Sequence, residues 1–323
     1  MRTFAFISTL LLPATAAAQA PPPDFVLMES YLHSLADHGG AMFDMPVMLG
    51  HHTAKVHPLG SDCEMHLAGT PTGGVDADPP SVVVEPPNLC ENDPTTDPTW
   101  GAVFDNHVIG QSCIASGYPR IFTEHAAGGS DEGANPNHVL EIHPALRLTC
   151  GASAIDFASY LKYYQGMRAI KPASADNCVR NTAVSMRYDP AGHRYEFQQD
   201  KGHGCGNFAI AEVSFLDNVQ PIDRGHSVIA RVSLDGQSQT TLKLYTLAGT
   251  KADEWLGLAK AGGVGPDRVY VHGMLSYDYF AFVKAMRAKN GTWINPTTWT
   301  KIDFPFALVV FGFPEEAPWG ENE

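Results

Sequence analysis

The sequence predicts an α+β protein that is mostly β, built from small antiparallel sheets or barrels. Short segments with alternating or β-branched apolar residues recur along the chain and predict strands, whereas few segments have helical spacing. Hydrophobic residues make up 44% of the 323 residues, which is enough for a sizeable core. The even number of cysteines, 6, favours disulfides.

Residues 1–20 have the pattern of a secretory signal peptide. Arg2 precedes an apolar run from Phe4 to Leu12, and small residues follow up to Ala20. The run is too short for a transmembrane helix, which needs about 20 apolar residues, and we find no longer one downstream. We therefore expect cleavage near Ala18, no membrane span, and a periplasmic or extracellular protein.

The remaining elements follow from residue spacing. Helices are predicted at 24–37, 154–166, 251–261 and 277–289, and strands at 81–85, 138–148, 228–234, 241–247, 268–275 and 302–313. A change in texture at residue 151 predicts two domains in the mature chain, a β-barrel-like domain at 21–150 and an α+β domain at 151–323. We find no internal repeat in the sequence.

Cysteines and charge restrict the classes of function. In an exported chain we expect Cys178 to pair with Cys205, and the other four cysteines to pair within the N-terminal half. The formal net charge of −14 repels phosphates, so a nucleic-acid partner recognised by charge alone is disfavoured. Histidines concentrate before residue 151, which places candidate chemistry in the first half.

Two segments carry acids and histidines at strand spacing. Side chains alternate along a strand, so in residues 61–69 Asp62, Glu64 and His66 would share one face. Residues 137–148 repeat the pattern with Glu141, His143 and Arg147. Converging carboxylates and imidazoles suit zinc and similar divalent metals.

Further acids and histidines lie near these two segments or have the same spacing. Glu85 follows the valine strand, and Asn137 and His138 precede the second polar segment. Asp105 and His107 form another acid-x-His pair. The alternative interpretation is structural, because acids and histidines on neighbouring strands also bond to each other and fix imidazole tautomers.

The segments D-C-E-M-H-L, V-V-V-E-P-P-N-L-C and N-P-N-H-V-L-E-I-H-P-A-L resemble, in order, segments of a largely uncharacterised family of exported bacterial proteins. The resemblance covers roughly residues 50–150. It implies an OB-like small β-barrel in the N-terminal half, and it supplies no activity. The polar positions shared with that family would be Asp62, Glu64, His66, Glu85, Glu141 and His143.

Two functions of different classes are compatible with these residues. The first is an exported divalent-metal-dependent hydrolase acting on a phosphoester or polysaccharide. The metal ligands would be Asp62, His66, Glu141 and His143. Glu64 or His138 would accept a proton from metal-bound water, and Arg147 would stabilise developing negative charge. The alternative is a non-catalytic exported module that binds carbohydrate, metal or a surface partner, and a purely structural envelope protein is a third interpretation.

Overall fold

The computed structural model describes residues 22–75, 77–121, 133–163, 171–182, 184–199, 208–262, 268–287, 297–302 and 306–314. The predicted signal peptide and Cys205 lie outside the described residues. Among the described residues, no helix has both the length and the apolar character needed to cross a membrane.

Strands dominate this part of the chain, as the sequence predicts. In chain order they are β1 (Phe25–Met28), β2 (Phe43–His52), β3 (Leu67–Pro71), β4 (Ala77–Asp78), β5 (Ser81–Val84), β6 (Ser112–Ile121), β7 (His138–Cys150), β8 (Ser153–Asp156), β9 (Val184–Asp189), β10 (Arg194–Gln199), β11 (Phe208–Phe215), β12 (Gln220–Ile222), β13 (Gly225–Ser233), β14 (Thr240–Leu247), β15 (Val269–Tyr277), β16 (Thr300–Ile302) and β17 (Phe306–Gly312).

The helices are α1 (Glu29–His38), α2 (Trp100–His107), α3 (Pro172–Asn181), α4 (Lys251–Gly262) and α5 (Tyr279–Met286). Two predicted helices differ from the structure. The helix expected at 24–37 starts late, because residues 25–28 form β1 within a sheet. Of the helix expected at 154–166, residues 154–163 instead contain most of β8 and a 3-10 turn at Ala158–Tyr160, because β8 extends the sheet of β7, and residues 164–166 lie outside the described residues.

The first barrel is closed by five strands in the order β2-β3-β5-β7-β6, with β6 returning to β2. All pairs are antiparallel except β5 and β7, which are parallel. Helix α2 lies in the connection between β5 and β6. The strand β8 is added outside the ring, next to β7.

The second barrel has the same topology, in the order β11-β13-β14-β17-β15, with β15 returning to β11. Counted along the chain, its one parallel pair, β14 and β17, again joins the third and fifth barrel strands, and α4 again lies between the third and fourth. This is the five-stranded Greek-key arrangement of OB-like barrels. The predicted fold class, a mostly β α+β protein with an OB-like barrel in its N-terminal half, is confirmed.

A third sheet, β16-β9-β10-β1-β4, joins distant parts of the chain. The strand β1, from the start of the chain, pairs with β10 on one side and with β4 on the other. Pairing therefore crosses the domain boundary that the sequence places at residue 151.

Two disulfides, Cys63–Cys90 and Cys113–Cys150, lie in the first barrel and its connections. The four cysteines of the N-terminal half therefore pair with one another, as predicted. Cys178 is also disulfide-bonded, and its predicted partner, Cys205, lies outside the described residues.

Candidate functional site

The candidate site lies on the outer face of the first barrel. Along β7, Leu140 and Ile142 are in register with Val82 and Val84 of β5, and these apolar side chains belong to the core. Glu141 and His143 alternate with them and therefore project from the other face. That face is nevertheless buried, because the second barrel packs against it: the rings of His143 and Phe208 are 5.9 Å apart.

His143 is the centre of the site, with a carboxylate at each ring nitrogen. Its Nε2 is 3.0 Å from Oε1 of Glu64, and its Nδ1 is 2.8 Å from Oε2 of Glu85. The three side chains are 1%, 2% and 7% exposed, respectively. An imidazole that meets an acceptor at both nitrogens is best satisfied as an imidazolium, which donates from both.

Glu141 connects this imidazole to two further basic side chains. Its Oε2 is 2.8 Å from the guanidinium of Arg120 and 3.6 Å from Nδ1 of His143, and its Oε1 is 3.1 Å from Nε2 of His138. Arg120 also lies 3.1 Å from Nδ1 of His143. When His143 is charged, its imidazolium and the Arg120 guanidinium repel each other. The Glu141 carboxylate beside them offsets this repulsion.

Basic and acidic groups are equal in number within this buried network. Three basic groups (Arg120, His138 and His143) face three carboxyl groups (Glu64, Glu85 and Glu141), and every one of the six is a buried residue. Burial of charge is tolerated only when partners are present, because an isolated ion loses its hydration without compensation.

The carboxyl groups differ in how they hold their protons. Burial raises the pKa of Glu64 to about 8, although the charge of His143 opposes the rise. Burial also acts on Glu85, but the charges of His143 and His66 outweigh it and lower the pKa of Glu85 to about 2. Burial acts on Glu141 as well, but the charge of Arg120 together with the hydrogen bonds to His138 and His143 holds its pKa well below the usual range.

The histidines are shifted the other way. Burial would lower the pKa of His143, but the neighbouring carboxyl groups of Glu64 and Glu85 raise it well above its ordinary value. Burial likewise opposes ionisation of His138, yet its bond to Glu141 leaves the pKa raised. The network therefore favours a charged His143 beside a protonated Glu64 and an ionised Glu85.

A chain of side chains leads from the network towards solvent. Nε2 of His66 is 3.6 Å from Oε1 of Glu85, and the ring of His66 meets that of His57 at 4.8 Å. Nδ1 of His57 is 2.7 Å from Oδ1 of Asp62, and this hydrogen bond raises the pKa of His57. The side chains of His57 and Asp62 are 30% and 23% exposed, so they form the outer end of the site.

Local backbone explains why residues 62–66 depart from the predicted strand. The strand β3 begins only at Leu67, and the preceding residues form a turn and an irregular segment in which Cys63 has a φ of 57°. The Cys63–Cys90 disulfide anchors this segment. Glu64 therefore turns inward, while Asp62 stays near the surface.

The polar segments also do not lie side by side. The strand β5 lies between β3 and β7, so Glu85, immediately after β5, occupies the middle position and contacts both His66 and His143. Backbone bonds extend the pairing through Glu85: its N–H donates to Ile142, and its carbonyl accepts from Ala145.

The structure brings together most of the predicted site residues. Of the predicted metal ligands, Glu141 and His143 are in the network, His66 contacts it through Glu85, and Asp62 lies at the rim. Of the predicted catalytic residues, Glu64 and His138 are in the network. Arg147 is not: it is exposed further along β7, in register with Ser116 and Asp156.

The arginine in the site is Arg120, which the sequence reasoning missed. It is 2% exposed and lies on β6 in register with Glu141. A lone arginine among the apolar residues of β6 was the available signal, since an arginine within a buried strand requires an anionic partner. The other acid-x-His pair, Asp105 and His107, lies on α2, with partners outside the network.

The site has donors that could hold a metal ion. Glu64, Glu85 and His143 each offer a ligand atom, and these atoms lie within 4.8 Å of one another. The group keeps one of the predicted metal ligands, His143, and includes Glu64, predicted as a proton acceptor, and Glu85. In comparisons with known proteins, no family model, curated protein or solved structure matches this chain.

Proposed function

We propose that this protein is an exported cation-binding module, which holds one divalent ion through Glu64, Glu85 and His143. The observation that carries the proposal is the convergence of three donor atoms within 4.8 Å, from three separate segments of the first barrel. Two carboxylates and an imidazole form a mixed oxygen and nitrogen donor set, for which zinc is the best match among common ions.

Binding requires a proton exchange at His143. A metal takes the lone pair of a neutral imidazole nitrogen, so the ion would replace a proton of the imidazolium and the proton of Glu64. The guanidinium of Arg120 repels the ion. The carboxylate of Glu141, whose Oε2 is 2.8 Å from that guanidinium, screens the repulsion. Two positive charges would enter as two protons leave, so the net charge of the network would not change.

Burial favours a structural ion over a catalytic one. Catalytic zinc sites keep a coordination position open to water and substrate, whereas structural sites are closed by protein. The three proposed ligands are at most 7% exposed. A metal-dependent hydrolase, the first function proposed from the sequence, needs such an opening, and it therefore stands second.

Export is part of the same proposal. The signal-peptide pattern of residues 1–20 supports it, and the two disulfides fit an oxidising compartment outside the cytoplasm. N-terminal sequencing of protein from the extracytoplasmic fraction should begin between Ala17 and Pro21, and an intact Met1 there would contradict export.

Metal content tests the cation site directly. Untagged protein produced by export is incubated with zinc, passed through gel filtration and analysed for metal by mass spectrometry. We expect about one zinc per chain and a higher melting temperature with zinc than with chelator, because a ligand of the folded state stabilises it. The variants Glu85→Gln and His143→Gln should lose both effects.

Asp253→Asn is the matched control, because Asp253 forms an acid–histidine pair with His226 at 2.9 Å on the second barrel. It should retain zinc like the unmodified protein. Zinc-free protein after this treatment, or equal zinc in the two site variants, would overturn the proposal. Zinc-dependent turnover of a generic phosphoester that is lost in His143→Gln would instead assign the hydrolase function.

A further inference from the structure

A cavity of about 410 Å³ lies between α1, α5, β12 and β14, and none of its lining residues belongs to the network around His143. Leu35 of α1 and Phe280 and Val283 of α5 give it an apolar wall. Its size is within the range of small-molecule sites, roughly 300–1,000 Å³.

Basic side chains line the same cavity. They are Lys243 of β14, Lys284 of α5 and Arg287, just after α5. Arg287 forms an ion pair with Asp37 at 2.8 Å. Neither lysine forms an ion pair in the part of the chain that the structure describes, and the Lys243 ammonium lies 4.9 Å from the ring centroid of Tyr245.

Both lysines line this one cavity. Burial lowers the pKa of Lys243, Asp278 partly offsets this effect, and the charge of Lys284 lowers the pKa further. Asp278 is not a free counter-ion: it accepts hydrogen bonds from the hydroxyl of Tyr245 and the backbone N–H of Ala281, and burial raises its pKa.

The positive charge at this cavity contrasts with the negative net charge of the whole chain. The protein has 21 basic and 35 acidic residues, so the average surface potential is negative and repels anions. Two like charges beside an apolar wall repel each other, and the arrangement is relieved when an anion lies between them.

We propose that this cavity binds a small organic anion with an apolar tail. The acidic headgroup, a carboxylate or a phosphate, lies between Lys243 and Lys284, and the tail packs against Leu35, Phe280 and Val283. The site is independent of the cation site, and either can fail without the other.

Calorimetric titration with decanoate and with monodecyl phosphate tests the proposal and separates the two headgroups. We expect saturable binding of at least one of them, and no comparable binding of decanol or of inorganic phosphate. Lys243→Met and Lys284→Met keep an apolar stem of similar length without the charge. Each should weaken binding about tenfold or more, the expected effect of losing a hydrogen bond from a charged donor.

Lys251→Met is the matched control, since Lys251 is an exposed lysine of α4, paired with Glu254 and outside the cavity. It should bind like the unmodified protein. The proposal is overturned if neither decyl anion binds, if decanol binds equally well, or if the two cavity variants bind like Lys251→Met. Circular dichroism of each variant verifies that a loss of binding comes from folded protein.

Discussion

His143 shows how a single buried side chain depends on its neighbours. Each ring nitrogen faces a carboxyl group, Glu64 at 3.0 Å and Glu85 at 2.8 Å, and all three side chains are buried. The two carboxyl groups are not equivalent: burial prevails at Glu64 and raises its pKa, whereas at Glu85 the charges of His143 and His66 and the hydrogen bond to His143 together outweigh burial and lower the pKa. One neighbour is therefore a neutral hydrogen-bond partner and the other is the counter-ion.

This difference predicts unequal effects of two isosteric substitutions. In metal-free protein at neutral pH, Glu85→Gln removes the counter-ion of His143 and should lower the free energy of unfolding by about 3–5 kcal/mol. Glu64→Gln replaces a protonated carboxyl with a neutral amide of similar shape, and should lower it by about 1 kcal/mol. Urea denaturation of both variants in chelator measures the difference. Equal losses would show that both carboxyl groups are ionised.

Arg120 supplies the second test at the residue scale. Arg120→Met leaves the Glu141 carboxylate buried without its guanidinium, and should lower the free energy of unfolding by about 3–5 kcal/mol. Adding Glu141→Gln should recover part of that loss, because it removes the unpaired charge. Urea denaturation of the single and double variants measures this coupling. A double variant less stable than Arg120→Met alone would contradict the account, and Arg268→Met, at an exposed pair with Glu212, should change little.

At the scale of elements, the pairing of β6 with β7 positions Arg120 opposite Glu141. The register of this pair shifts around Gly117, near Pro144, which has no N–H for the ladder. Gly117 is required there: a Cβ would overlap the carbonyl oxygen of Pro144 and lie 2.9 Å from Cα of Ala145. The close approach of two backbones therefore sets the register on which the site depends.

A methyl group at this position should disturb both pairing and site. Gly117→Ala should lower the free energy of unfolding by about 1–3 kcal/mol, because the backbones must separate to admit it. Gly50→Ala is the control in β2, where a Cβ would meet nothing within 4 Å, and its effect should stay within about 0.5 kcal/mol. Thermal and urea denaturation compare the two. A Gly117→Ala protein as stable as Gly50→Ala would contradict the close packing.

At the scale of the whole molecule, two barrels of the same topology pack so that one covers the polar outer face of the other. Phe208 of β11 lies against His143, and the hydroxyl of Tyr118 on β6 donates to the carbonyl of Tyr277 on β15. The network is thus buried by packing between barrels, and its unusual pKa values exist only in the assembled fold.

Stability should consequently depend on pH. Glu64 has a folded pKa raised from 4.5 to about 8, and that of His143 is raised above 6.5, so the folded protein binds more protons than the unfolded chain. The stability from these groups is present at low pH and is lost as pH rises through their folded pKa values. The pKa of Glu85 is lowered from 4.5 to about 2, so the stability that Glu85 contributes is lost only as pH falls below 4.5.

We therefore expect metal-free protein to be more stable at about pH 6 than at about pH 9. Glu64→Gln should reduce that difference, because the substituted amide does not titrate. Urea denaturation in chelator at the two pH values measures it. Stability that rises from the lower to the higher pH would contradict the assigned pKa directions.

Local patterns in the sequence were sufficient for much of the fold. The alternation in β13 and β14 and the valines of β5 predict strands, because side-chain periodicity within one segment decides which face is apolar. The same reasoning grouped Glu141 with His143 and identified Glu64 and Glu85 as relevant acids. The residue types in these segments were sufficient to predict a polar cluster of carboxylates and imidazoles.

Tertiary structure decided what the local pattern does not contain. Barrel closure and strand register join residues that are far apart in the chain. They determine that β5 lies between β3 and β7 and that Arg120 faces Glu141. Arg147 and Arg120 have similar strand surroundings in the sequence, yet one is exposed and the other is 2% exposed, because the second barrel covers only part of the outer face. Burial is a property of the packed molecule, so the sequence named the chemistry of the site and packing selected its members.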